Sequence, residues 1–152
     1  MVFDLDQTLV DSSSALEARS RRNWPGVYRL IPGFDVYPGV DDVLQWIRDQ
    51  SLTIFIVTSA PRPYCEKVVS HFQFPVDGMV CYHDTRRRKP HPDPFLLALK
   101  RMGLAAGEVP SFGDQPDDII ASHAAGMPAY ACDWGAEDIE ALVQAGPVES
   151  LE

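Results

Sequence analysis

The run Leu52-Thr53-Ile54-Phe55-Ile56-Val57 is short, rich in β-branched residues and apolar apart from one threonine. Such a run reads as a strand buried on both faces. Segments of helical period flank it. Upstream, Val40, Val43, Leu44 and Ile47 fall at i, i+3, i+4 and i+7, so Gly39 to about Gln50 reads as an amphipathic helix. Downstream, Cys65, Val68, Val69 and Phe72 restore that period. The alternation then repeats. Gly78 to Tyr82 is a second strand, and Phe95, Leu99 and Met102 mark a helix closed by Gly103. Val109 to Phe112 is a weaker strand, Ile119, Ile120 and Ala124 carry a helix to Gly126, Pro128 to Cys132 is a last strand, and Ile139, Leu142 and Val143 a last helix. Val2 to Leu5 is a strand stub around Asp4. Strands alternating with helices predict a doubly wound α/β fold, Rossmann-like, with three layers and a mainly parallel central sheet.

At 152 residues and 45% hydrophobic content the chain suits one domain, 1–152, with a real core. The 13 Lys plus Arg against 22 Asp plus Glu leave a net charge of -9, which argues against non-specific binding to a phosphate backbone. That surplus is local. Residues 133–152, read as an acidic helix and tail, hold six acids and no base, and most of the remainder sits in the carboxylate clusters described next. No apolar stretch approaches the roughly 18 residues of a membrane span. Nothing at the start resembles a secretory leader, so a cytoplasmic protein is expected. Cys65, Cys81 and Cys132 form no CxxC pair and read as buried thiols.

In open α/β sheets ligands bind beyond the carboxyl ends of the strands. Reactive residues stand there four times: Asp4 and Asp6, Thr58 and Ser59, Lys89, and Asp114 with Asp117 and Asp118. On a regular strand Asp4 and Asp6 would point to the same face. Ionised carboxylates gathered in one cleft repel one another, and a divalent cation that prefers oxygen relieves this; Mg²⁺ is the commonest. Thr58 and Ser59 precede Ala60-Pro61 and a helix, a natural anion site. Each segment alone has a plainer explanation: a turn, a helix start, a solvated Arg86-Arg87-Arg88-Lys89 run, an N-cap at Asp114. Together, in this order, they describe phosphoryl transfer.

Phe3-Asp4-Leu5-Asp6-Gln7-Thr8-Leu9-Val10 resembles the first motif of the haloacid dehalogenase (HAD) superfamily of phosphohydrolases. Ile56-Val57-Thr58-Ser59 is similar to the second, Arg88-Lys89-Pro90 to the third, and Gly113-Asp114 through Asp118 to the fourth. Ala124 to Met127 and Trp134-Gly135 match as well. The resemblance implies an aspartyl-phosphate formed on Asp4, with Asp6 as acid and then base. It implies Mg²⁺ held by Asp4, Asp114 and the backbone carbonyl of Asp6, phosphate bound by Thr58, Ser59 and Lys89, and Lys89 oriented by Asp118. An aspartate at position 6 further implies a phosphate ester or anhydride as substrate. The segment 10–37 is too short for the separate cap domain of larger relatives, so a capless member is implied, with a helix at about Ser13 to Arg22 and a loop.

An open site takes large substrates or is closed by another copy of the chain. Trp24, Tyr28, Phe34 and Tyr37 among Arg19, Arg21, Arg22 and Arg29 can stack on bases or, as we favour, fold back on the sheet edge. The leading expectation is a Mg²⁺-dependent phosphatase of phosphorylated small molecules; a polynucleotide end phosphatase is the alternative. From other classes stand a phospho-receiver-like signalling domain and an inactive binding module of the same fold. Two departures from the family pattern are visible. Gln7 replaces the usual glycine, and few residues precede Asp4, so either the first strand is short or the natural start lies upstream.

Overall fold

The computed structural model describes residues 1–152. Its elements are β1 (Val2–Phe3), β2 (Val10–Asp11), α1 (Leu16–Ser20), α2 (Trp24–Leu30), β3 (Asp35–Val36), α3 (Val40–Asp49), β4 (Phe55–Val57), α4 (Arg62–Phe72), β5 (Gly78–Val80), α5 (Asp93–Met102), β6 (Ser111–Gly113), α6 (Pro116–Ala124), β7 (Ala129–Cys132), α7 (Ile139–Gln144) and β8 (Glu149–Leu151). Six strands form one sheet in the order β5-β4-β1-β6-β7-β8, with every neighbouring pair parallel. From β1 the chain winds outward through β4 and β5, then returns to build β6, β7 and β8 on the other side. The winding therefore reverses at β1, and a crevice opens there above the strand ends.

The buried strand drives this arrangement. Ile54 and Ile56 enter a core cluster of 19 residues with Leu5, Leu44, Ile47 and Val68, whereas Phe55 and Val57 enter the opposite cluster with Val80, Phe95 and Leu99. Alternate residues of one strand thus bury both faces, at roughly 1.5–3 kcal/mol for each large side chain. Val2 and Phe3 divide between the same two clusters, and β1, although short, is tied on both sides. Phe55 N–H donates to the Met1 carbonyl at 3.0 Å and Asp4 N–H to the Phe112 carbonyl at 2.9 Å.

Several boundaries differ from the periodicity. The strand expected from Leu52 begins only at Phe55: Ser51 adopts φ +57 to leave α3, and Leu52 stays 42% exposed. The strand expected to reach Tyr82 ends at Val80, where Asp84 accepts from Cys81 N–H and folds the chain away. The segment 133–152 is not a helix with a free tail, because β8 follows α7 and pairs with β7, with Val148 N–H reaching the Ala129 carbonyl at 2.7 Å. The edge of β7 offered unpaired backbone groups, and a strand satisfies them.

Between β1 and α3, residues 10–37 hold more structure than one helix and a loop. A 3₁₀ turn at Ser13–Ala15 leads into α1, Arg22 turns the chain at φ +54, and Asn23 caps α2 by accepting from Gly26 N–H. β2 and β3 close the segment as an antiparallel pair. Its aromatics fold inward: Phe34 is buried, and Trp24, Tyr28 and Tyr37 pack half-buried against the larger core cluster. The three cysteines are buried free thiols. No helix is long and apolar enough to cross a membrane.

Candidate active site

At the crevice above β1 a cavity of about 410 Å³ is walled by Asp4, Asp6, Thr58, Ser59, Lys89, Asp114 and Asp118. Four separate stretches of sequence meet there. Asp4 leaves β1, Thr58 leaves β4 and Asp114 leaves β6, so three adjacent parallel strands deliver them side by side. Lys89 comes from the long connection after β5 and reaches back across the sheet.

The lysine is the hub. Its Nζ donates to Asp4 Oδ1 at 2.9 Å, to the Val57 carbonyl at 3.1 Å and to Asp118 Oδ1. Only 6% of its side-chain surface is exposed. Burial by itself would push the ammonium down, but Asp118 and Asp4 together hold it above the usual lysine range. The rest of the arginine run diverges: Arg87 is bidentate to Asp93 at 2.9 Å and the Arg88 guanidinium lies 3.7 Å from the Tyr82 ring centroid. Asp93 is thereby committed to Arg87, and Pro92 rather than Asp93 is the N-cap of α5.

Asp118 does two things at once. Its Oδ2 accepts from Gln115 N–H at 3.1 Å, closing a capping box on α6, while Oδ1 holds Lys89. Gly113 makes this reach feasible, because a Cβ there would lie 2.5 Å from the Asp118 carboxylate. Asp114 is not an N-cap; Gln115 is. Both Asp114 oxygens are anchored, Oδ1 by the Thr8 hydroxyl and Oδ2 by Gln115 Nε2, each at 2.8 Å.

Asp4, Asp114 and Asp118 each present an oxygen within 4.8 Å of the others. Burial raises the Asp4 carboxyl well above its ordinary range, with Lys89 pulling it down. Burial and the neighbouring Asp118 push Asp114 up to about 6. An all-oxygen donor set that is costly to ionise unaided suits a hard divalent cation. The Asp6 carbonyl, two residues beyond Asp4, accepts no backbone hydrogen bond.

The two aspartates of the first motif both line this cavity but take different partners. The strand ends at Phe3, and Gln7 turns the loop at φ +62. Asp4 bonds Lys89, whereas Asp6 is held from the 10–37 segment and from α4. Its Oδ1 accepts from the Ser12 hydroxyl at 2.6 Å and the Tyr64 hydroxyl at 2.5 Å, and pairs with Arg19 Nη1 at 2.8 Å. The left-handed φ explains why glycine is the easiest residue at position 7. Here the glutamine is held by Tyr37, whose hydroxyl donates to Gln7 Oε1 at 2.9 Å. Trp134 Nε1 donates to the Thr8 carbonyl at 3.1 Å, and a Cβ on Gly135 would fall 1.8 Å from the Gln7 carbonyl. The loop after β7 thus clamps the first motif, and Gly135 is the only size that fits.

Thr58 and Ser59 stand further from a helix start than the sequence suggests, since α4 begins at Arg62. Thr58 Oγ1 accepts from Ala60 N–H at 3.1 Å, which leaves the hydroxyl proton free to donate. Ser12, Arg19, Tyr64 and Gln115 were not predicted as site residues. Only Gln115 carries a local signal, the capping spacing to Asp118; the other three reach Asp6 through the tertiary fold. A second cavity, apolar and about 240 Å³, contains none of the carboxylates.

The family described as haloacid dehalogenase-like hydrolase matches residues 29–132. Phosphoglycolate phosphatase of Escherichia coli (strain K12) is 32% identical over 116 residues, covering 72% of this chain but only 44% of that protein. Among solved structures, a hydrolase from Pseudomonas syringae aligns with TM-score 0.83 and 21% identity, covering 99% of this chain and 92% of the other. CbbY from Rhodobacter sphaeroides in complex with phosphate aligns with TM-score 0.81 and 16% identity, covering 99% and 92%. At those identities the two structures speak for the fold alone.

Proposed function

The chain belongs to the haloacid dehalogenase-like hydrolases, and on that premise we propose that it is a Mg²⁺-dependent phosphatase of phosphorylated small molecules working through an aspartyl-phosphate on Asp4. The observation that carries this reading is Lys89 Nζ held between Asp4 and Asp118, with Asp114 completing an acidic cluster beside them. The family match sets aside the phospho-receiver alternative. Residues 10–37 act as a roof in place of a cap domain.

In the proposed reaction an Asp4 carboxylate oxygen attacks phosphorus, the bond to the ester oxygen breaks, and Asp6 gives that oxygen its proton. Water then attacks the aspartyl-phosphate with Asp6 taking a proton from it, which frees inorganic phosphate and restores Asp4. Thr58, Ser59 and Lys89 hold the phosphoryl oxygens, and Asp118 keeps Lys89 in place. Mg²⁺ bound by Asp4, Asp114 and the Asp6 carbonyl would supply charge neutralisation at the phosphoryl group. Hydrolysis of 4-nitrophenyl phosphate should be abolished by EDTA and restored by millimolar Mg²⁺; turnover indifferent to both would refute the reading, and no turnover with any phosphomonoester would favour a binding module.

Asp114 gives a second test. A carboxyl whose folded pKa, about 6, exceeds its ordinary 3.8 stabilises the fold while protonated. That contribution is complete below the unfolded value and lost as pH rises through about 6. The melting temperature of metal-free protein should therefore fall between pH 5 and pH 7. Millimolar Mg²⁺, which binds the ionised form, should remove the fall. A melting temperature that ignores Mg²⁺ at pH 7 would contradict the assigned donor set.

A further inference from the structure

A second chamber of about 460 Å³ adjoins the reaction centre, and the two share Arg19, Ser59 and Ala60 as a common wall. Its other walls are Arg22, Trp24, Tyr82 and His83, with Pro61, and no acidic side chain lines it. Arg19 is already committed to Asp6, but Arg22 makes no ion pair and no side-chain hydrogen bond. Its backbone is also unusual. Arg22 N–H donates to the Arg19 carbonyl and Asn23 N–H to the Ala18 carbonyl, so Arg22 occupies the position just past α1 where the chain must turn left-handed, at φ +54. Glycine is the conformational default there. Arg22 thus offers an unpaired cation at the wall of a chamber next to the phosphoryl site.

We propose that this chamber is the leaving-group subsite, that it selects phosphomonoesters whose leaving group is planar and carries a second negative charge, and that Arg22 is its specificity-determining residue. The inference rests on the phosphatase reading above for the placement of the phosphoryl group. Trp24 and Tyr82 provide aromatic walls for a planar group, while Arg22 and the outer side of Arg19 make the chamber cationic. An uncharged leaving group gains only the aromatic contact; one with a carboxylate gains the charge as well. A partly exposed pair of this kind changes affinity by roughly 1.5- to 5-fold at moderate ionic strength.

Phenyl phosphate and 4-carboxyphenyl phosphate separate the two contributions, because they differ in charge at the far end of the ring. Wild type should show kcat/KM for the carboxylated ester roughly 1.5- to 5-fold higher, carried by KM and reduced at high salt. Arg22→Gly should bring that ratio close to one, chiefly by lowering kcat/KM for the carboxylated ester, and not lower the melting temperature, since glycine suits the backbone. Arg22→Lys should retain part of the preference. Equal kcat/KM in wild type, or an Arg22→Gly protein that keeps the preference, would overturn the subsite while leaving the phosphatase reading intact. Absence of turnover with both esters would instead fell the phosphatase reading. The subsite would then be decided by calorimetric binding of the two esters to the wild-type and Arg22→Gly proteins, where the same ratio, lost on substitution, is expected and equal affinities would overturn it.

Discussion

Asp4→Asn is expected to lower Mg²⁺-dependent phosphatase turnover by about 10³- to 10⁶-fold, the range seen when an enzymatic nucleophile is removed from an otherwise intact site. The substitution exchanges an anionic oxygen for a neutral amide at nearly constant volume. It removes both the attacking group and the charge that faces Lys89 Nζ at 2.9 Å. The fold should not suffer. Asp4 is a buried carboxyl already raised above its ordinary range, with Asp114 and Asp118 adding to the repulsion, so an amide relieves some of that repulsion while the Lys89 contact to Asp118 persists. The expected pattern is lost turnover with an unchanged or higher melting temperature. Acid quench of wild type during turnover of a ³²P-labelled ester should trap protein-bound phosphate that hydroxylamine releases, and the variant should trap none. Turnover within tenfold of wild type, or labelling of the variant, would move the nucleophile elsewhere.

The elements most legible in the sequence were those whose burial obeys a simple period. Ile54 to Val57 is apolar at every position because both sheet faces are covered, and that signal fixes the fold class. Asp4, Thr58 and Asp114 were legible for a related reason, since each stands just beyond a strand of one parallel sheet. The 10–37 segment was far less readable. α2 owes its start to one Asn23 side chain, and Arg22 occupies a left-handed turn that gives an arginine no outward mark. Asp6 shows the same limit at the site. Period two places it beside Asp4, and both line the cavity, but its partners Ser12, Arg19 and Tyr64 reach it only through the tertiary fold. β8 escaped because pairing with β7 is backbone chemistry and needs no apolar pattern in Glu149-Ser150-Leu151.

Lys89→Met is the substitution expected to damage stability and turnover together. Methionine is of similar length and fits the buried path, so packing changes little, but the cation bonded to Asp4 and Asp118, with Asp114 beside them, disappears. Removing one partner from a buried charge cluster costs about 3–5 kcal/mol, on the order of 10 °C in melting temperature for a chain of this size. Turnover should fall by about 10²- to 10³-fold, as when one donor to a developing anion is lost. The pH dependence separates this from a generic core defect. Lys89 has its folded pKa above its ordinary value, so its contribution is complete below the unfolded lysine range and is fully present from pH 5 to pH 9. Without it, Asp4 and Asp114 are buried carboxyls whose folded pKa values exceed the ordinary 3.8 even further, and such groups stabilise only while protonated. The variant's deficit should therefore be small near pH 4.5 and grow toward pH 7.5, and Mg²⁺ should restore part of the stability by taking over the neutralisation. A deficit that is independent of pH and untouched by Mg²⁺ would mean that the lysine fills space rather than balancing the carboxylates.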